Sequence, residues 1–406
     1  MGRKRVALFQ SRHTLQIQTA FLVTLLQEAG YDVDVFLYRC STRIFDSKDL
    51  CTTVHDLTPK GTSWKEMSST SGRWRAALRE FLVDPLFASE SDFLGRGIVG
   101  ETVRLVGAYK YHCFVGIEKL GLVWAGLVAR RMRIPVVYQS YELFSGNYIL
   151  GISPLRWIRF LRTRKLEKQF HRTTVATIIQ DKVRADVLRK TNRHPLMKSL
   201  LVPIGLKGSS HTVKSRFLSK RFPQLDGRIV VMQFGLIEAR RFSVELIQRA
   251  QEFPANWALL LHGRFEGSET SESLAKLDRN KKVVFSDHLV PAGDLDDLIS
   301  SSHIGLGFYP DKTLNEFTAG FSSEKIARYM KCGIPVVAFS YPTFRDSVER
   351  TGAGVCISDL GQLSVAINTI YGDYERYRAN AYKAYERYFR LDTQFEKVVD
   401  FIDRLA

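Results

Sequence analysis

Apolar residues recur along this chain with two alternating periods. Residues 5–9 (RVALF) are a short apolar run suited to a buried strand. Residues 14–29 repeat at helical spacing and stop at Gly30, and residues 31–38 (YDVDVFLY) alternate as a strand does. Strand, helix, strand at this spacing predicts a βαβ unit and a parallel sheet. The loop after the first strand, residues 10–14 (QSRHT), has no GxGxxG pattern, which argues against a dinucleotide at this turn. From residue 41 to 106 the pattern is irregular, with one basic helical segment, RWRAALREF, starting at Arg73.

The βα rhythm resumes at residues 113–118 (CFVGIE), passes through a helix to Arg131, and reaches residues 134–144 (IPVVYQSYELF). The last is a strand whose carboxyl end carries Gln139, Tyr141 and Glu142. Open parallel sheets bind ligands at that end of their strands. Strands at 177–180 and 199–203 enclose a helix at 181–190, after which residues 207–216 (KGSSHTVKSR) lose all apolar periodicity and read as a linker. A second series follows, with strands at 228–235, 257–263, 283–287, 304–309 and 355–358 and helices near 244–252 and 295–300. Within it, residues 315–340 (NEFTAGFSSEKIARYMKCGIPVVAFS) give a polar loop, a helix opened by Ser322 and Ser323 and closed at Gly333, and an apolar strand. Two tyrosine-rich helices, 374–388 and 393–405, end the chain.

This organisation predicts an N-terminal Rossmann-like domain over 1–205, a linker over 206–227, a C-terminal Rossmann-like domain over 228–390, and a final helix, 391–406, that returns to the N-terminal domain. Two α/β domains in series predict a cleft that holds a ligand.

Composition narrows the function classes. With 406 residues, of which 45% are hydrophobic, the chain is neither disordered nor fibrous. Five scattered cysteines without CxxC or Cys/His spacing predict a reducing compartment and no structural zinc. The N-terminus runs straight into a strand, so no signal peptide is expected, and the longest apolar run, LGLVWAGLVA from Leu120, is too short to cross a bilayer. The expected location is the cytoplasm, peripheral at the inner face of a membrane. The net charge of +17 is lopsided: the first 205 residues hold 32 Lys and Arg against 17 Asp and Glu, the remainder 27 against 25. The densest segment, residues 156–172 (RWIRFLRTRKLEKQFHR), has seven lysines and arginines and one glutamate, with apolar residues between them. On a helix it is cationic and amphipathic, as a segment resting on an anionic membrane would be.

The helix start at Ser322–Lys325 is the sharpest candidate for chemistry. Its first N–H groups lack intrahelical partners and its dipole end is positive, so it suits a phosphate, and Lys325 in the first turn adds a full charge. Gly235, Gly263 and Gly333 read as turn and cap glycines.

The ordered set IPVVYQSYELF, LEKQFHR, IIQDKVRADVL, LVPIG, QFGLIEARR and SSEKIARYMKCGIPVVA, closed by YRANAYKAYERYF, resembles the family-4 retaining glycosyltransferases of the GT-B fold. The likeness covers most of the chain from Cys113 and is most specific between Phe321 and Ala338. It implies a nucleotide-diphosphate sugar bound as co-substrate by the C-terminal domain, no tightly bound cofactor, no obligatory metal, and a glycan or lipid-linked acceptor held by the N-terminal domain. It implies too that Arg241, with Arg240 beside it, faces the donor diphosphate together with Lys325, Ser322 and Ser323. Fixed cations and helix N–H groups neutralise a diphosphate leaving group without metal. Glu316, Glu142 and Tyr141 are the candidate catalytic residues. Asp287, His288 and Glu324 are candidates for the donor base or ribose, and His13 for the acceptor side.

Three positions depart from the family. Its usual E-x7-E pair would fall on Gly320 and Arg328, whereas Glu316 and Glu324 show that spacing four residues earlier. Tyr141 stands where the family has a histidine, and the first loop lacks a glycine pair. Two other classes stay open: a nucleic-acid-binding protein using the basic half, disfavoured because no RNP-type strand or helix-turn-helix signal is found, and a GT-B nucleotide-sugar epimerase or inverting transferase.

Overall fold

The computed structural model describes residues 4–11, 17–38, 53–58, 97–143, 154–266, 270–287 and 290–405. His13, His288 and the basic segment from Arg73 lie outside these residues. The chain forms two compact units, Met1–Val202 with Phe395–Ala406, and Pro203–Gln394.

The first unit is built on a seven-stranded parallel sheet. Its strands are β1 (Arg5–Ser11), β2 (Asp32–Tyr38), β3 (Thr53–Asp56), β4 (Cys113–Ile117), β5 (Val136–Gln139), β6 (Ala176–Ile179) and β7 (Ser199–Leu201), in the spatial order β3-β2-β1-β4-β5-β6-β7. The short apolar runs are buried on both faces, as parallel strands under crossover helices must be: Val6, Ala7, Leu8 and Phe9 are fully buried. The helices are α1 (Ile17–Glu28), α2 (Ile98–Val106), α3 (Glu118–Met132), α4 (Pro154–His171) and α5 (Lys182–Asn192). Strand β3 and helix α2 fall in the stretch whose pattern was irregular. β3 is a four-residue edge strand, too short to show a period, and α2 follows a left-handed glycine, Gly97.

The second unit has a six-stranded parallel sheet, ordered β10-β9-β8-β11-β12-β13. Its strands are β8 (Ile229–Ile237), β9 (Trp257–Phe265), β10 (Val283–Ser286), β11 (Ile304–Leu306), β12 (Val336–Phe339) and β13 (Gly354–Ile357). Around them run α6 (Phe217–Arg221), α7 (Ser243–Ala250), α8 (Ser271–Ala275), α9 (Leu295–Ser300), α10 (Leu314–Phe317), α11 (Glu324–Lys331), α12 (Leu363–Gly372) and α13 (Tyr374–Ala384). One core side is continuous from Leu246 and Ile247 through Leu259, Leu261, Leu306 and Val337 to Ile367 and Ile370. Residues 206–227 lie within this unit and carry α6. They are pinned by Gly208 N–H to Asp392 (2.7 Å), Ser210 N–H to Glu386 (2.7 Å) and His211 N–H to Lys331 O (2.8 Å).

The last helix, α14 (Leu391–Asp403), joins the first unit from Phe395 onward. Val398 and Ile402 are fully buried there, Lys397 Nζ donates to Leu201 O (2.8 Å), and Asp403 pairs with Lys4 (2.9 Å). Among the described residues, no helix is long and apolar enough to cross a membrane.

Candidate functional site

In the second sheet the chain steps outward from β8 to β9 and β10, then crosses to β11 on the other side of β8. The loops after β8 and β11 therefore diverge at their carboxyl ends, where open parallel sheets take their ligands. Gly235, near the end of β8, has φ +120°, and Gly263, paired with it on β9, has φ +144°. The Lys325 side chain reaches this point: a Cβ on Gly235 would lie 3.9 Å from Lys325 Cε and 4.0 Å from Nζ.

Arg240 and Arg241 occupy a short 3-10 turn, Ala239–Arg241, directly after β8. Gln233 holds the turn by donating Nε2 to Arg241 O (3.0 Å). Both guanidinium groups converge on Glu316 of α10, with Arg240 Nη2 2.7 Å and Arg241 Nη1 3.6 Å from Oε1. Glu316 is 8% exposed, and Thr313, the N-cap of α10, donates its hydroxyl to Oε2 (2.9 Å). Arg241 Nε also lies 3.6 Å from Glu238. The predicted carboxylate and arginine pair thus form one ion cluster around a buried carboxylate, with Arg241 half-buried and Arg240 exposed, and Glu316 sets the direction of both arginines.

Helix α11 starts beside this cluster. Ser323 is its N-cap, accepting from Ile326 N–H (3.2 Å), and Tyr309, after β11, hydrogen-bonds to the same hydroxyl (2.6 Å). Ser322 is used differently: its N–H donates to Ala319 O (3.0 Å) and its hydroxyl to Thr318 O (3.2 Å). The N–H groups of Glu324 and Lys325 remain for a ligand, as the first turn of any helix leaves them. Lys325 is half-buried, its Nζ 5.3 Å from the Tyr309 ring centre and 6.0 Å from that of Phe234. Among the described residues no carboxylate lies within ion-pairing distance of it. Burial, and then the charge of Arg241, push its pKa down to about 7.

Glu324 and Arg328 face another neighbour. Arg328 Nε bonds Glu324 (2.7 Å) and Nη1 lies 3.3 Å from Asp296, which also pairs with Lys331 (2.7 Å). Asp287 is exposed just after β10. Sequence reasoning passed over Tyr309, Thr313 and the buried pair His262–Ser286 (2.9 Å) on β9 and β10. Their only local signal is a polar residue at or beyond a strand end.

By sequence, the chain matches no family model and no curated relative. By structure it is similar to Anabaena HepE in complex with UDP (TM-score 0.70, 15% identity, 99% of this chain and 100% of that one). It is also similar to sucrose-phosphate synthase from Thermosynechococcus elongatus (TM-score 0.63, 16% identity, 99% of each chain). A third similar structure is WaaG, a glycosyltransferase involved in lipopolysaccharide biosynthesis (TM-score 0.57, 14% identity, 98% of this chain and 99% of that one). The chain has the GT-B fold.

The first sheet of this GT-B chain has its own switch point, between β1 and β4. Glu118 follows β4 with φ +56°, is 3% exposed, and accepts the N–H groups of Tyr141 (2.6 Å) and Glu142 (2.9 Å) on one oxygen. Arg184 of α5, 2% exposed, donates to Tyr141 O (2.6 Å), and Gln180 donates to Ser140 O (2.6 Å). The loop after β5 is therefore clamped on both sides. The Tyr141 ring is buried and its phenol pKa raised by that burial, while Glu142 is exposed. Nothing local in the sequence marked Glu118 and Arg184 as partners of this loop.

Burial pushes the Glu118 carboxyl up to about 7, with Glu142 adding to the effect and Lys119 opposing it. Its folded-state pKa lies above the unfolded one, so ionisation costs stability progressively from the unfolded value up to about 7, and the cost is constant above that. Glu118→Gln keeps the acceptor without the charge. Its unfolding free energy should match wild type near pH 4.5, exceed it by roughly 3 kcal/mol as pH rises to about 7, and level off beyond neutrality. Calorimetry across that range checks the sign, and a glutamine variant less stable at every pH would refute it.

Proposed function

We propose that this chain is a glycosyltransferase that moves a sugar from a nucleotide-diphosphate donor to an acceptor with retention of anomeric configuration. The observation that carries the reading is the convergence of Lys325, Arg241 and the open N–H groups of α11 over the glycine end of β8. Breaking the glycosidic bond leaves negative charge on the diphosphate, and prepositioned cations and N–H groups stabilise that charge more in the transition state than in the ground state.

In this proposal Lys325 and Arg241 neutralise the leaving group, with no metal required, and Arg240 and Glu316 hold Arg241 in place. Ser323, with Ser322 beside it, shapes the helix start. Asp287 and Glu324 remain the candidates for the nucleoside end. Glu142, exposed at the end of the clamped loop, is our candidate for the acceptor side, and Tyr141 fixes that loop. The acceptor class is a glycan or lipid-linked sugar, met in the cytoplasm. Retention and acceptor class rest on the resemblance of the residue motifs to family-4 enzymes.

A thermal-shift screen against UDP-, GDP- and dTDP-sugars tests the donor. At about 100-fold excess over Kd the correct donor adds roughly 2.7 kcal/mol of stability, or several degrees. No shift with any nucleotide-sugar, alongside tight salt-sensitive binding of an oligonucleotide, would sink the transferase reading. NMR of the product anomer tests the stereochemistry, and an inverted anomer removes retention.

A further inference from the structure

Helix α4 gathers one face of exposed residues, with Lys168 half-buried among them. Trp157, Leu161, Arg164, Lys165, Lys168 and Arg172 succeed one another by steps of four, three, one, three and four residues, which at 100° per residue keeps all six within about 100° of arc. Trp157 is 38% and Leu161 45% exposed, and the Trp157 ring stacks on Phe160 at 5.7 Å. Beyond them the stripe is entirely cationic for about 12 Å, and the whole stripe from Trp157 to Arg172 runs about 22 Å along the axis. The single acidic residue of the helix, Glu167, is buried and accepts from Tyr138 (3.0 Å). Among the described residues Arg172 donates to the Asn192 and Arg193 carbonyls, at 3.1 and 3.2 Å, which brings the exposed Arg193 to the end of the stripe. The cations are close enough for Arg193, Arg172 and Arg164 to add to the lowering of the Lys168 pKa that desolvation begins.

Like charges gathered with no compensating acid among the described residues raise the folding free energy, and Trp157 and Leu161 leave apolar surface in water at one end of the stripe. Both features are accounted for by an anionic surface that supplies the missing charge and an apolar layer at its edge. We propose that this face of α4 docks on an anionic lipid bilayer, with Trp157 and Leu161 entering the headgroup boundary and Arg164, Lys165, Lys168, Arg172 and Arg193 lying against the lipid phosphates. A segment with these two parts lies in the interface rather than across it. The inference stands on the helix surface alone and does not depend on the transferase reading.

The test is co-sedimentation of the purified full chain with phosphatidylcholine vesicles, pure or containing about 30% phosphatidylglycerol. The wild-type chain should sediment with the anionic vesicles and not with the neutral ones, and increasing salt should release it. Lys168→Glu with Arg172→Glu should weaken binding by roughly 30-fold or more, each Lys or Arg at such a surface contributing about fivefold. Trp157→Ala with Leu161→Ala should leave weaker binding that salt abolishes completely. Trp157, Leu161 and Arg172 are exposed and Lys168 is half-buried, so every variant should still unfold cooperatively, with the melting temperature moved by only a few degrees as repulsion is relieved and the Arg172 bonds are lost. Binding to neither vesicle, equal binding to both, or undiminished binding by the charge-reversed variant would overturn the proposal. So would a short oligonucleotide that displaces the vesicles while binding the Trp157 and Leu161 variant as tightly as wild type, since the face would then serve nucleic acid.

Discussion

Replacing Lys325 with alanine is expected to lower turnover of the nucleotide-sugar donor by roughly 10²-fold or more, and Arg241→Ala by a similar factor, the scale on which loss of one electrostatic stabiliser acts. The two should not add simply, because Arg241 is among the groups that depress the Lys325 pKa, and removing it lets the lysine hold its proton more firmly. A diphosphate beside the ammonium has the opposite effect to Arg241 and raises that pKa. Donor binding is then coupled to proton uptake: affinity is highest below the free-state value of about 7 and falls as pH rises toward the bound-state value. UDP-glucose is the suitable probe because its diphosphate is doubly esterified and does not itself titrate in this range. Its affinity for wild type should decline from about pH 6 to pH 8.5, and that for Lys325→Arg should stay flat, since a guanidinium keeps its charge throughout. Wild-type turnover in both alanine variants would refute the phosphate site, and parallel pH profiles for wild type and Lys325→Arg would refute the role given to the lysine proton.

The largest stability effect is expected at Gly263. Its φ of +144° lies where L side chains rarely go, and a Cβ there would stand 1.7 Å from Gly235 O, a backbone atom that cannot swing aside. Gly263→Ala must part β8 from β9 at their carboxyl ends, beneath the Lys325 ammonium. We expect a loss of roughly 3 kcal/mol or more, with a melting temperature lower by several degrees and weakened nucleotide-sugar binding in whatever remains folded. Gly227→Ala is the control: its φ is +70°, but a Cβ meets nothing within 4 Å, so only the backbone strain of about 1 kcal/mol is lost. Calorimetry of the two variants should rank them clearly, and equal melting temperatures would show that the close approach of the two glycines carries no weight.

Much of the architecture was legible because it is locally encoded. Apolar runs of four to seven residues bounded by turns marked β1, β2, β4, β5 and most of the second sheet, and the caps of α5 and α11 are made by Asp181 and Ser323 within three residues of the bonds they accept. Residues 41–106 defeated the same reasoning: the elements described there, β3 and α2, are four and nine residues long and carry too few positions to establish a period.

The sequence by itself thus determined two parallel βα series, a serine-capped helix start with a lysine in its first turn, and a basic, amphipathic segment at 156–172. Each follows from residues within one or two turns of one another. Only the tertiary structure decided which partners the charges take. Glu316 closes on arginines 75 and 76 positions earlier, and Arg328, standing where a second glutamate was looked for, spends its charge on Asp296 and Glu324. It also decided that Gly263 is required by Gly235, which no turn signal reveals, and that α4 turns Leu166 and Phe170 inward while leaving Trp157 and Leu161 outside. Ion pairing, close backbone approach and the choice of buried face depend on distances across the sheet, and those are fixed only when strands far apart in the chain take their places beside one another.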